Sequence, residues 1–522
     1  MSAVIDDGRA STPSAAEVHR SAPMVRAVLT IGVLQFLSMC LLFGRTKIVA
    51  LALGPETVGA MSVVDKLTAL VSQTLSLSLP FAALRFLPAA LRESPAARNV
   101  LYRQMLSVSL ALIVPATAVC VGISVFKPAF WGADLLPYRL SVIVAFCSLP
   151  VVGLVPLLTN AYAGGLDHDR SMWFTIAQST TLFLAAVAAA AGLGLIGYYG
   201  TYAAIGGVLV LVAARHLAWS EPGQAHPPLS LRDRFRLPPA IWRFAAALLA
   251  LTFAAPYGSL YVQYTSLHLY GAAASGILQA AVGISLTVRT LLGTAHALFL
   301  TPQVNRQGDP AARMAWANEF QRVTALLFVL TLPPLLLFAD VAVRILYSGK
   351  FVGASAFVAL FVAAEVVTLL SGTYQALIIA SDRMLFHVLQ NLAAQALLIG
   401  IVTVALPRVG LVGAGLAALA APLFLYATTL IFLRRAYNVR VSREAAWMAL
   451  LASTILAVCG AIGARYTGLA PALLGGKLLA CVATWTVAFL LMPVDDRARL
   501  VDGLTRVWSL ILTSTTRRRA AR

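Results

Sequence analysis

Basic side chains recur in this sequence inside runs too apolar to solvate them. Phe43 to Lys66 reads FGRTKIVALALGPETVGAMSVVDK, with Arg45, Lys47, Asp65 and Lys66 on either side of Gly54-Pro55-Glu56-Thr57. Further on, Ser285, Arg289, Gly293 and His296 are spaced four, four and three apart, which places them on one helical face. A charge deep in a bilayer is costly, so it pairs, reaches an interface or meets a polar ligand. The clear acidic residues at depth, Asp65 and Glu365, suit a coupling ion or proton, or serve as partners for an arginine.

The spacings separate the roles. Arg45 and Lys47 lie about 200° apart around a helix and cannot face the same way. Lys47 is near enough to a helix end to snorkel. Asp65 pairs with Arg45 or with Lys66. Positions 62, 65, 69, 72 and 76 form one face, polar except for Ala69, with Lys66 and Gln73 beside it. Arg289 has no carboxylate one turn away on its own helix. At 1.5 Å per residue it lies roughly 20 Å from the nearest outer turn, too deep to snorkel. Arg45, Lys66 and Arg289 are therefore the candidates to line a cavity or meet a substrate. Asp65 and Glu365 are candidates for coupling or ion pairing. His296 and Gln73 either line a cavity or bond locally.

These residues need helices in lipid to position them. The chain has 522 residues, 60% hydrophobic and 11% charged, and its mean hydropathy is +0.85. A soluble chain is nearer half apolar and a quarter charged. Apolar runs of about 20 residues, the length that crosses a bilayer, recur between residues 25 and 492. They predict an all-α polytopic protein of about fourteen spans: 25–52, 57–85, 99–125, 137–163, 171–193, 196–216, 238–267, 273–300, 315–339, 352–380, 384–405, 410–433, 444–464 and 471–492. With the N-terminus cytoplasmic, 28 of the 39 Lys and Arg fall on that side, seven outside (Lys477 among them) and four within spans. That bias follows the positive-inside rule and puts both termini in the cytoplasm. The net charge of +19 then sets topology and calls for no nucleic acid.

Other chemistries find no support. The five cysteines all lie in apolar runs without CxxC spacing, so neither a disulfide framework nor a metal site is expected. Gly192 to Gly197 reads GLGLIG, but it falls at a turn between two spans and not between a strand and a helix. No GKS/T loop and no HExxH occurs. No catalytic residue and no cofactor is assigned, and the chain does not read as an enzyme. The first 24 residues are polar and lead into a long apolar helix without a cleavage site, so no removable signal peptide is expected.

A repeat organises the spans. LALGPETVG holds Gly54 and Gly59, and LHLYGAAASG holds Gly271 and Gly276 at the same internal spacing. Asp169-Arg170 is matched to Asp382-Arg383, and Gly197 and Gly200 to Gly410 and Gly413, both at one shared and slightly shorter offset. The predicted division is a cytoplasmic tail (1–24), an N-lobe of six spans (25–216), a cytoplasmic linker (217–237), a C-lobe of six spans (238–434), two further spans (444–492) and a basic tail (493–522). Six spans separate the copies, so the repeat is parallel, about an axis along the membrane normal. Asp496–Thr513 has the pattern of an amphipathic interfacial helix, with Arg517–Arg519 placed to bind anionic lipid. A stop-transfer tail is the other reading.

Several motifs then carry a resemblance. A basic residue precedes Leu53-Gly54-Pro55-Glu56-x-x-Gly59, echoed by Leu269-Tyr270-Gly271 and Gly276; Tyr347-Ser348-Gly349-Lys350-Phe351, Ser381-Asp382-Arg383 and the paired glycines follow. Over about residues 25 to 435 the sequence resembles Wzx-type polysaccharide flippases of the multidrug/oligosaccharidyl-lipid/polysaccharide (MOP) exporter superfamily. The resemblance implies two six-helix lobes around a central cavity that work by alternating access. It implies movement of undecaprenyl-pyrophosphate-linked oligosaccharide from the cytoplasmic to the outer leaflet of a bacterial inner membrane. The product would feed surface polysaccharide, exopolysaccharide or lipopolysaccharide synthesis, with a polymerase and other export proteins as partners. A cationic cavity suits the pyrophosphate, which supports Arg45, Lys66 and Arg289 by chemistry and not by motif position. A lipid II flippase shares the plan. A drug/cation antiporter calls for an acidic cavity, against which stand four basic residues to two acidic ones. A membrane glycosyltransferase or ligase lacks the large outer loop to hold its site.

Overall fold

The computed structural model describes residues 15–164, 168–218, 230–295, 304, 309–381, 383–494, 496–498 and 505. His296, Asp382, Arg517–Arg519 and most of Asp496–Thr513 lie outside the described residues.

Glycines fold long helical runs into hairpins. Gly54 (φ 73°, ψ 177°) divides Ala15–Leu75 into α1 (15–53) and α2 (55–75). Past a break, Leu79–Glu93 continues α2. Next come α3 (Pro95–Phe126) and α4, which is Arg139–Cys147 plus Leu149–Gly164, bent by 40°. Helices α5 (His168–Ala188) and α6 (Gly194–Ala218) are joined through a π turn with Gly192 at φ 94°. The GLGLIG pattern is this helix-to-helix turn. Gly271 (φ 80°, ψ 173°) divides Pro239–Ala295 into α7 (239–270) and α8 (272–295). The rest are α9 (Pro310–Leu337), α10 (Ser355–Ala380), α11 (Met384–Val409), α12 (Leu411–Tyr437), α13 (Arg443–Arg465) and α14 (Pro471–Leu491). Among the described residues ten runs are long and apolar enough to cross a membrane, or eleven with bent α4 as one span. With each of the three glycine-broken runs taken as two, the expected fourteen are present. No strand occurs among the described residues.

The arms do fold back. Gln263 donates to the Ser275 carbonyl at 2.8 Å across Gly271. Twelve residues along a straight helix would separate them by about 18 Å.

The backbone also resets the register of the repeat. Gly54 and Gly271 share one conformation. Gly194 (φ 57°, ψ −150°) and Gly410 (φ 67°, ψ −155°) share another, at the heads of GLIG and GLVG. Helices α5 and α11 start at His168 and Met384, with the same offset as that second glycine pair. Gly197 therefore corresponds to Gly413 and not to Gly410, so the expected register was three residues short. Asp169 lies in the first turn of α5, whereas Arg383 precedes α11. A further echo went unread: Ser94 and Asp309 head S-P-A-A-R and D-P-A-A-R, and their side chains cap the Ala97 and Ala312 amides of α3 and α9.

Span two is not one helix. Leu77 and Ser78 take positive φ (48° and 57°), breaking α2 before its second segment, Leu79–Glu93, begins with Pro80 in its first turn. Each non-glycine residue in that region costs on the order of 1 kcal/mol.

Helices α13 and α14 pack on the second lobe, chiefly on α9. A buried ion pair fixes one end: Lys477 on α14 meets Asp340, just past α9, at 2.6 Å. The Gly468 amide donates to the other Asp340 oxygen at 2.7 Å. Burial alone would raise the Asp340 carboxyl, but the bonds from Lys477 and Gly468 outweigh it and hold the group below the usual range. Lys477, read from sequence as an outer-side cation, is thus sealed within the protein at 2% exposure. Near the middle of α9, Arg322 meets Asp496 at 2.8 Å.

Candidate functional site between the lobes

The two hairpins meet at their glycine turns. A Cβ at Gly59 would overlap the Ala272 carbonyl, and one at Gly276 would overlap the Pro55 carbonyl. Gly59 stands to Gly276 in the repeat as Pro55 stands to Ala272, so the contact is reciprocal. Glycine is required because the helix backbones touch. Nearby, Lys47 donates to the Arg344 carbonyl at 2.8 Å, and His268 meets Asp134 at 2.9 Å. Both contacts join the lobes and close this end.

Further in, α1 and α8 separate around a cleft of 270 Å³. Met39, Leu42 and Phe43 give it an apolar wall, Gln279 and Thr287 face them, and Arg45 supplies the charge. A smaller hollow of 70 Å³ shares Arg45, Thr46, Gln279 and Tyr347 with it, and is lined also by Ser62 and Asp65. Arg45 lies 3.8 Å from Asp65 and donates to the Tyr198 hydroxyl at 2.8 Å. Tyr199 donates to Asp65 at 2.8 Å. Both tyrosines come from α6 and were missed in the sequence. Their signal lay in the repeat: they follow GLIG, where the second copy has Ala414-Gly415.

The predicted residues do not form one cluster. Arg45 and Asp65 come together at the cleft. Lys66 turns away from Asp65 and donates to Ser259 of α7 at 2.8 Å, joining the lobes. Arg289 lies 3.9 Å from Glu365 of α10, within the second lobe. Neither arginine–carboxylate distance is a hydrogen bond. The buried Glu365 Oε2 and Gln279 Oε1 have no hydrogen-bond partner among the described residues. Gln73 is exposed and lines a separate cavity on the inner half of α2. Lys47, expected to snorkel, is bonded to the Arg344 backbone instead. Arg45 thus faces the cleft and Arg289 is about half exposed outside it, each with only a loosely held counter-charge. An incoming anion can compete for them without first breaking a short, bidentate pair.

No protein-family profile and no curated protein sequence matches the chain. Solved structures do. A lipid II flippase, MurJ, in an inward closed conformation superposes with a TM-score of 0.67 at 11% identity, over 88% of this chain and 98% of its own. An inward-facing multidrug resistance MATE transporter of the MOP superfamily gives 0.60 at 14% identity, over 77% and 95%. A MOP superfamily transporter from Pyrococcus furiosus, described as having a binding pocket of reversed polarity, gives 0.57 at 13% identity, over 79% and 96%. The chain has the MOP transporter fold. At these identities the likeness shows the fold alone. The α1–α8 cleft lies between its two lobes.

Proposed function

We propose that this protein moves a lipid-linked oligosaccharide, joined through a pyrophosphate, from the cytoplasmic to the outer leaflet of a bacterial inner membrane. Both termini are cytoplasmic in this reading. The observation that carries it is Arg45: a guanidinium at the inner side of the lobe closure, beside an apolar wall and 3.8 Å from its carboxylate. One side of that cleft suits a polyprenyl chain and the other a phosphate. Arg289 with Glu365 offers a second such cation on the facing lobe. The closed glycine end and the fold support alternating access. Polymerase and other export proteins would take the product onward.

Arg45→Ala and Arg289→Ala should each reduce polymer export at least tenfold and leave lipid-linked units on the cytoplasmic face. Normal export in both variants rules the reading out. Lipid II transport is the second reading, favoured by the 88% coverage of the match to MurJ. Viability after gene deletion counts against it.

A further inference from the structure

A cavity of 220 Å³ on the inner half of α2 is unlike the arginine cleft. Its walls come from α2, α4 and α7, and among the described residues no ionisable side chain lines it. Ser72 and Ser76 lie roughly 30 Å along the helix from Gly54, and Arg45 roughly 14 Å from it. The cavity is therefore the nearer of the two to the inner end.

Its chemistry is that of neutral hydrogen bonding. Ser72 and Ser76 give their protons to carbonyls on their own helix, those of Ala69 and Gln73. Thr252 does the same to Leu249. Their oxygens are left as acceptors. Asn160 gives one amide N–H to the Pro80 carbonyl at 3.0 Å, which fixes the side chain and leaves Oδ1 as a further acceptor and the second N–H as a donor. That carbonyl lies just past the Leu77–Ser78 break, so the break builds part of the wall. Gln73 is exposed and its side-chain amide makes no hydrogen bond among the described residues, so it brings both donors and an acceptor. Phe81, 53% exposed, presents an aromatic face. Acceptor oxygens in number, one free amide, an aromatic face and no charge suit a ligand that is uncharged and rich in hydroxyl groups. Its C–H face would lie on the ring and its hydroxyls on the acceptors. At about 30 Å³ per liquid water, the cavity replaces about seven waters, the room of one sugar ring.

We infer that this cavity is a subsite for a neutral sugar of the transported lipid, separate from the phosphate-facing arginines. The inference rests on the lipid-linked reading above and names the part of the substrate it leaves open. A site built around hydroxyls discriminates sharply against a ligand lacking them.

Purified protein in lipid nanodiscs is titrated with three probes: polyprenyl diphosphate, its neutral hexosyl derivative and its hexuronosyl derivative. Wild-type protein should bind the neutral hexosyl lipid about tenfold more tightly than the bare lipid, and the hexuronosyl lipid with little or no gain. Gln73→Leu and Phe81→Leu, both at exposed positions, should each erase the gain and keep bare-lipid affinity, which also reports an intact fold. Arg45→Ala should weaken all three probes alike. Equal binding of bare and hexosyl lipid by wild type overturns the subsite and leaves the proposed function standing. So does a gain that survives both substitutions. If wild type binds none of the three, the lipid-diphosphate reading fails and the subsite with it.

Discussion

At the scale of single residues, the charges differ in how tightly they are held. Asp65 stands 3.8 Å from Arg45 and is steadied by Tyr199. It competes with any incoming anion for that guanidinium. Asp65→Asn should therefore tighten polyprenyl diphosphate binding several-fold in nanodiscs while slowing export in cells; weaker binding would refute the competition. Asp340 is the opposite case, sealed at 0% exposure against Lys477. Asp340→Asn leaves a buried ammonium without its counter-charge and should destabilise the protein by about 3–5 kcal/mol. Asp340→Leu with Lys477→Met should recover much of that loss in a detergent thermal melt. The sign with pH follows from the depressed carboxyl. Its contribution is complete above the unfolded carboxylate value of about 3.9 and is lost as pH falls through the lower folded value. Melts of wild type and Asp340→Asn should thus differ by a constant amount from about pH 7 to 5, and the difference should shrink only as pH falls below the unfolded value towards the lower folded one. The charges in α1, α2 and α8 were legible because they break apolar runs. Their pairing was legible only in part: Arg45 took Asp65, and Lys66 crossed to α7. Lys477 was misread because its partner lies far back in the chain, on the other side of four intervening helices.

At the scale of elements, apolar length made all fourteen spans legible. The break at Leu77–Ser78 was not, because apolar and polar spacing continues through it and only Pro80 marked the place. The repeat was legible in outline. Its register slipped by three because glycine pairs were matched by spacing, without the leucine between them in GLIG and GLVG. The reciprocal contact of Gly59 with Ala272 and Gly276 with Pro55 gives a test of the hairpins. A methyl group at Gly59 overlaps a backbone carbonyl, which cannot rotate away as a side chain could. Gly59→Ala should push α2 from α8 at their glycine ends and raise the population that is open at that end. Spin labels at positions 56 and 273 should report a longer distance in electron–electron resonance. Gly276→Ala added to it should give less than the sum of the two single effects, since both act on one contact. An unchanged distance distribution would show that the helices yield without opening.

At the scale of the whole molecule, the lobes touch at the glycine end through Lys47–Arg344 and His268–Asp134 and open further in around Arg45. The proposed alternating-access cycle requires these contacts to part each time. With the native cysteines replaced, Asp134→Cys with His268→Cys should form a disulfide that stops export, and reductant should restore it. Export that persists in the oxidised protein would mean the lobes need not separate there. The Asp340–Lys477 pair has a consequence in time as well as in space. A chain made at about 5–20 residues per second places Lys477 about 7–27 s after Asp340. Through that interval the carboxylate at the end of α9 has no ammonium to meet. Water or the insertion machinery must hold it, and four more helices are laid down before the charge is closed over. The last of the described spans is then the one that completes an earlier one, and the biogenesis of α9 ends only with α14.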